Sequence, residues 1–249
     1  MTGQLTGKRV LVIGGSSGIG FGAAEAAVRS GAAVTIASRN EDRLNEAASK
    51  LGHGVEVHVV DTGQYETIVS LFEKIEAVDH VIVSSSAAKP GSVRKMNLDD
   101  AYASMDSKFW GAYRVAKAAR ISENGSLTLI SGFLSQRPNA LSVLQGAINA
   151  AIEALVRGLA LELAPIRVNA VSPGLVDTPL LASMSDEMRR AMLQNAQENL
   201  PVKKYGVPAD IAQAILFVAT NPYTTGSVVT VDGGATISPF NVLSRPTPR

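Results

Sequence analysis

The chain has no cysteine, three histidines and one tryptophan in 249 residues. Without cysteine there are no disulfides, no thiol nucleophile, no cysteine-ligated zinc and no cysteine-held iron–sulfur cluster, and no metal site is expected. Neither sign of charge dominates: 23 Lys and Arg stand against 22 Asp and Glu, a formal net charge of +1. A nucleic-acid binder would carry a basic excess or stripe, so no nucleic-acid partner is expected. No run of eighteen apolar residues is free of charge, which argues against a membrane span. Residues 1–8 lack the basic stretch and long apolar run of a secretory signal. The expectation is a cytoplasmic protein with no membrane partner. These scarcities also shorten the list of acids and bases. His53, His58 and His80 lie beside strand-like runs, where surface or core histidines are commoner than catalytic ones. The five tyrosines are Tyr65, Tyr102, Tyr113, Tyr205 and Tyr223, and no lysine falls between Lys117 and Lys203.

What is present is a well-stocked core. Hydrophobic residues make up 46% and charged residues 18%, which excludes wholesale disorder. Strand-like runs at 9–13, 33–37, 55–60, 80–84, 126–131, 167–171 and 228–231 alternate with helical patterns at 18–30, 41–51, 65–77, 99–119, 141–164, 185–199 and 208–220. Continuous apolar strands between amphipathic helices predict a parallel sheet covered on both faces. The expected fold is α/β, a single Rossmann-type doubly wound domain over residues 1–249, with ligands at the carboxyl ends of its strands. The tail 238–249, with three prolines, is expected to run over the surface or a neighbouring subunit.

The first strand-to-helix turn reads Ile13-Gly14-Gly15-Ser16-Ser17-Gly18-Ile19-Gly20. Glycines permit a tight turn and close approach of backbone to a pyrophosphate, and the helix start offers free N–H groups and partial positive charge. Gly14, Ser16, Ser17, Gly18, Ile19 and Gly20 are therefore candidate nucleotide contacts. The next strand ends in Ser38-Arg39. NAD-binding folds ordinarily place a carboxylate here, whereas Arg39 offers a cationic fork for a 2′-phosphate and Ser38 a donor. This predicts NADP(H) as cofactor. Asp61 and Thr62, after the third strand, are placed to meet the adenine.

From here the chain resembles the classical short-chain dehydrogenase/reductase family, from Gly7 to Gly234. The glycine turn, Asp61, Arg167-Val168-Asn169, Ser172-Pro173-Gly174, Thr178 and Val231-Asp232-Gly233-Gly234 carry the likeness. It implies that Ser84 and Ser85 border the cofactor, that Pro173, Gly174 and Val176 stand beside the nicotinamide, and that Thr178 holds its carboxamide. It also implies a mobile substrate lid at about 175–205 and a homotetramer or homodimer, built through the helices at 99–119 and 141–164.

The family's chemistry rests on Asn, Ser, Tyr and Lys. Aligned on Ala150-Ala151-Ile152-Glu153 and Arg167-Val168-Asn169, the Tyr position holds Gln145 and the Lys position Asn149. The Ser position holds Gly132, with Ser131 beside it, and the helix Asn position holds Lys108. No tyrosine lies between Tyr113 and Tyr205, so sliding the alignment recovers no catalytic pair. The candidate catalytic set is Lys108, Ser131, Gln145 and Asn149, with Lys108 as replacement cation. Gln145 and Asn149 cannot act as acids near neutral pH, and at spacing i, i+4 they could simply bond each other. Phe133, Leu134, Leu144, Leu175, Leu180, Leu181 and Met184 suggest a small, largely apolar substrate. Two readings stand: an NADP(H) oxidoreductase acting on a carbonyl- or imine-like group, or a cofactor-binding protein without redox turnover, such as a sensor, a partner subunit or a cyclase-like enzyme.

Overall fold

The computed structural model describes residues 3–238; all but the first residue of the tail lies outside them. Seven strands form one parallel sheet: β1 (Arg9–Ile13), β2 (Ala33–Ser38), β3 (Glu56–Val59), β4 (Val78–Val83), β5 (Ile121–Ile130), β6 (Arg167–Pro173) and β7 (Val228–Val231). Their order across the sheet is β3-β2-β1-β4-β5-β6-β7. β1 pairs with both β2 and β4, with Val12 level with Ile36 on one side and Ile82 on the other. The chain therefore reverses its direction of growth beside β1, the place where a doubly wound sheet opens a crevice at its carboxyl edge.

The strands are buried on both faces, and alternation along them sorts residues between two cores. Leu11 and Ile13 pack with Val81, Val83, Leu127 and Leu129. They meet Ile68 and Phe72 of α3 (Tyr65–Lys74) and Val115 of α5 (Gly111–Ala118). Ile152, Val156 and Leu159 of α6 (Val143–Glu162) complete that face. Val10, Val12, Ile36 and Ile82 instead meet Ala23, Ala24 and Ala27 of α1 (Gly18–Arg29) and Leu44 of α2 (Glu41–Leu51). Ile211, Ile215 and Val218 of α8 (Pro208–Thr220) close the second face. Among the described residues α6 is long and apolar enough to cross a bilayer by length and composition; here its Ile148, Ile152 and Val156 are buried inside the protein. A third, smaller cluster joins Phe133, Leu175 and Leu181 to Met192, Ala196 and Leu200. The last three belong to or directly follow α7 (Asp186–Asn199).

Two elements differ from expectation. The predicted helix 99–119 is broken into α4 (Leu98–Met105), a wide π-helical turn Asp106–Trp110, and α5. The widened turn shifts register by one residue, and its anchors are tertiary. Arg114 bonds both Asp106 Oδ1, 2.6 Å away, and the Thr62 carbonyl, 3.2 Å away. β5 begins earlier than predicted, with an irregular register between Val78–Ile121 and His80–Ser126.

Candidate active site

A cleft of about 610 Å³ runs along the carboxyl edge of the sheet. Strand ends build it: Ile13 from β1, Ser38 from β2, Ile130 from β5 and Pro173 from β6 all line it. Its two ends are made differently.

At one end the wall is backbone. Gly14 has φ +88°, and a Cβ there would stand 2.6 Å from the Ser85 nitrogen. A Cβ on Gly20 would stand 2.1 Å from the Gly14 carbonyl oxygen. These two glycines let the turn fold back on itself at the start of α1. Ser17 precedes α1 without giving it a side-chain cap, and the helix has no acidic residue in its first turn. Its positive pole and free N–H groups therefore face the cleft unneutralised. Gly14, Ser16, Ser17, Gly18 and Ile19 line the cleft; Gly20 lies behind the wall. The buried hydroxyls of Ser38 and Ser85 have no hydrogen-bond partner, and both face this cleft. Arg39 is exposed at its mouth and forms no ion pair among the described residues. The cap of α2 is Asn40, which accepts from the Arg43 N–H at 2.8 Å.

Thr62, Ser84, Pro173, Gly174, Val176 and Thr178 also line the cleft. Asp61 stands off it, its carboxylate accepting from the Gly63 N–H at 2.9 Å.

At the other end the floor is made of side chains. Lys108, at the centre of the π-helical turn, donates from Nζ to the Ser131 carbonyl at 2.7 Å and to Asn149 Oδ1 at 2.6 Å. Burial lowers its pKa from 10.5 to about 8, an effect that the charge of Glu153 opposes. Asn149 is buried against Gly132, where a Cβ would stand 2.7 Å from its Nδ2. A side chain at 132 would displace the Asn149 amide. The pairing of Gln145 with Asn149 that their spacing allows is not made: Asn149 turns to Lys108, while Gln145 donates to the Ala88 carbonyl at 3.4 Å. Lys108, Ser131, Gln145 and Asn149 share this floor. The hydroxyl of Ser131, one of the candidate catalytic residues, donates to Glu153 Oε1 at 3.1 Å.

The apolar wall comprises Phe133, Leu134, Leu175, Leu180 and Leu181. Leu144 and Met184 do not line it; Met184 packs against the third cluster. Within the segment 175–205, Arg189 of α7 pairs with Asp177, its Nη2 2.6 Å from Asp177 Oδ1. No histidine lines the cleft among the described residues. His80, on β4, is buried with Nδ1 2.9 Å from Oγ of Ser126, its partner on β5. Burial lowers its pKa to about 4.

Sequence reading missed two residues. Arg43 joins Arg39 at the cleft mouth, and it lies one helical turn further on. Glu153 is buried and accepts from both Ser131 and Ser135. The signal was a polar line at i, i+4, i+8 (Gln145, Asn149, Glu153) on an otherwise apolar helix.

Comparison with known proteins fits this architecture. The family model described as enoyl-(acyl carrier protein) reductase matches residues 13–236. The short-chain dehydrogenase/reductase ucsE of Acremonium sp is 32% identical, with 94% of this chain and 97% of that protein covered. The chain belongs to the short-chain dehydrogenase/reductase family. Among solved members, a small-chain dehydrogenase crystallised in complex with NADPH is 38% identical, covers 92% of this chain and 99% of its own, and has a TM-score of 0.78. A short-chain oxidoreductase from Pseudomonas aeruginosa PAO1, described as containing an atypical catalytic center, is 25% identical with a TM-score of 0.84. It covers 92% of this chain and 97% of its own. The Rossmann-type sheet is thus the family's own.

Proposed function

We propose that this short-chain dehydrogenase/reductase is an NADP(H)-dependent oxidoreductase with a non-standard site, acting on a small, largely apolar carbonyl- or imine-like substrate. The observation that carries the reading is Lys108: an ammonium with a pKa near 8, on the floor of the cleft, with two donors engaged and a third left over.

The residues present fit the cofactor. The Gly14 and Gly20 turn leaves room where Cβ atoms would stand, and the uncapped α1 pole suits a pyrophosphate. The partnerless Ser38 and Ser85 hydroxyls wait for acceptors, and Arg39 offers a fork to a 2′-phosphate. On this reading Gly14, Ser16, Ser17, Gly18, Ile19 and Gly20 form the phosphate turn and Thr62 borders the adenine, while Asp61, expected beside it, lies off the cleft with its carboxylate on the Gly63 N–H. Ser84, Pro173, Gly174, Val176 and Thr178 frame the nicotinamide end. A crystallised relative that binds NADPH supports the choice of cofactor.

When bound, the cofactor supplies a hydride. The chain's own part is to position, to exclude water and to hold a proton. With Gln145 and Asn149 in place of a tyrosine and lysine, neither residue has a proton to give near neutral pH. Lys108 does, and a pKa close to the working pH suits a general acid. Its bonds to Ser131 and Asn149 hold Nζ in place, and the apolar wall keeps the substrate end dry. A carbonyl or neutral imine would draw that proton from Lys108, whereas an already cationic iminium would need none. Leu98, Tyr102, Trp110 and Tyr113, exposed along α4 to α5, and Leu161 on α6 support assembly into a homotetramer through these helices.

A second reading has its own observation: no tyrosine, histidine or carboxylate lines the cleft among the described residues. That favours cofactor binding without turnover. The test is a fluorescence titration with NADPH, followed by a screen of its oxidation against ketones, quinones and cyclic imines. Binding with oxidation of one class is expected. Binding without turnover transfers the conclusion to the second reading, and failure to bind NADPH or NADH overturns both.

A further inference from the structure

The floor of the cleft has a layer beneath it. Glu153 is 9% exposed, lies one turn beyond Asn149 on α6, and has no lysine or arginine within ion-pair distance among the described residues. A buried carboxylate in that position is costly unless hydroxyls and an opposite charge compensate it. Two hydroxyls do so directly: Ser135 Oγ at 2.6 Å and Ser131 Oγ at 3.1 Å, both on Oε1. The opposite charge lies on the far side of Ser131, whose carbonyl accepts from Lys108 Nζ at 2.7 Å. Ser131 is thus gripped at both ends, by the carboxylate through its hydroxyl and by the ammonium through its carbonyl. The Ser135 hydroxyl also lies 3.1 Å from the Gly132 carbonyl; its single proton goes to the nearer carboxylate, so Glu153 holds Ser135 beside the turn against which Asn149 packs.

We propose that Glu153 is a positioning residue of this site: through Ser131 and Ser135 it fixes the acceptors of Lys108, and its charge keeps that lysine an ammonium. The inference rests on the reading of Lys108 as the working cation. The groups facing Lys108 are few. From α6 come Asn149 and Glu153, and from the turn after β5 come Ser131 and Ser135. From its own turn comes Asp106, which is committed to Arg114. Arg39 and Arg43 stand at the mouth of the same cleft. Glu153 is therefore the carboxylate available to oppose the burial of the amine, in the direction its field acts.

The experiment follows the titration of Lys108 in protein labelled at lysine Cε, without cofactor, assigning the resonance as the one lost in Lys108→Arg. In the wild type a midpoint near 8 is expected. Glu153→Gln keeps an acceptor for both serines and removes the charge. The midpoint should fall by about one pH unit, a tenfold loss of protonated over neutral amine at a given pH. Glu153→Asp, which keeps the charge, should restore most of it. An unmoved midpoint in Glu153→Gln overturns the proposal. Should that variant not fold, Glu153→Met removes the charge without leaving a buried polar group to satisfy. The Lys108 midpoint should fall there too, and no change overturns the proposal equally. Because both titrations are read without cofactor, their failure is distinct from a failure of NADPH turnover.

Discussion

The two ends of the cleft differ in what they are made of. The phosphate end is backbone: its shape is set by glycines at which a Cβ would stand 2.1 to 2.6 Å from a neighbouring main-chain atom, and by a helix start left bare. The other end is side chain: Lys108, Asn149, Ser131 and Glu153 hold one another through single hydrogen bonds. A backbone site tolerates almost any side chains around it, provided the glycines stay. A side-chain site can be rebuilt with other residues while the fold beneath it is unchanged. This is how one sheet can keep the cofactor apparatus expected of its family and carry a different floor.

Four measurements would break or sharpen that contrast, the largest expected effect first. Lys108→Met should lower single-turnover reduction at saturating NADPH by about a hundredfold, the low end of what a positioned proton donor contributes, while NADPH affinity at the phosphate end changes little. In the wild type the rate should fall as pH rises through about 8, because the ammonium is the working form. Lys108→Arg should abolish that limb of the pH profile.

The second measurement takes the sheet beneath both ends as reference. His80 titrates near 4 in the fold against about 6.5 in an unfolded chain. Its folded value is depressed, so its contribution is complete above about 6.5 and is lost as pH falls toward 4. Urea unfolding should show about 3 kcal/mol of stability lost over that window, and His80→Asn should lack that loss.

Third, Gly20→Ala should destabilise the fold by about 1–3 kcal/mol in urea unfolding, as overpacking does, and should weaken NADPH binding with it. An alanine that costs nothing in either assay would show that the phosphate end is less rigidly a backbone site than its geometry requires. The smallest effect is expected from Arg39→Ala: NADPH affinity about tenfold weaker and NADH affinity unchanged, read by fluorescence titration. Equal loss for both cofactors would remove Arg39 from the 2′-phosphate and leave that task to Arg43.

The contrast also explains what could be read in advance. The bounds of β1, α2, α8 and β7 match the expected 9–13, 41–51, 208–220 and 228–231, because each is punctuated locally: by glycines around β1 and β7, by Asn40 before α2 and by Pro208 at the start of α8. The glycine turn was legible for the same reason. The break in the helix expected over 99–119 has little local signal, since the segment has no proline and its one glycine, Gly111, follows the widened turn; the π-helical turn is secured by Arg114 reaching the Thr62 carbonyl, 52 residues away in sequence. Gln145 and Asn149 suited each other by spacing alone, and the nearer presence of Lys108 decided otherwise.

The sequence by itself determined the alternation of strand and helix, the doubly wound sheet and the phosphate turn, because periodicity, glycine and helix caps act over a few neighbouring residues. It also determined that no tyrosine or lysine stands between Lys117 and Lys203. Only the tertiary structure decided which side chains meet on the floor of the cleft. Lys108 meets Ser131 and Asn149 across 23 and 41 residues of chain, and Glu153 enters the site through two serines from another element. Such contacts depend on where rigid elements bring long side chains together, and a buried charge settles only where every partner it requires has arrived.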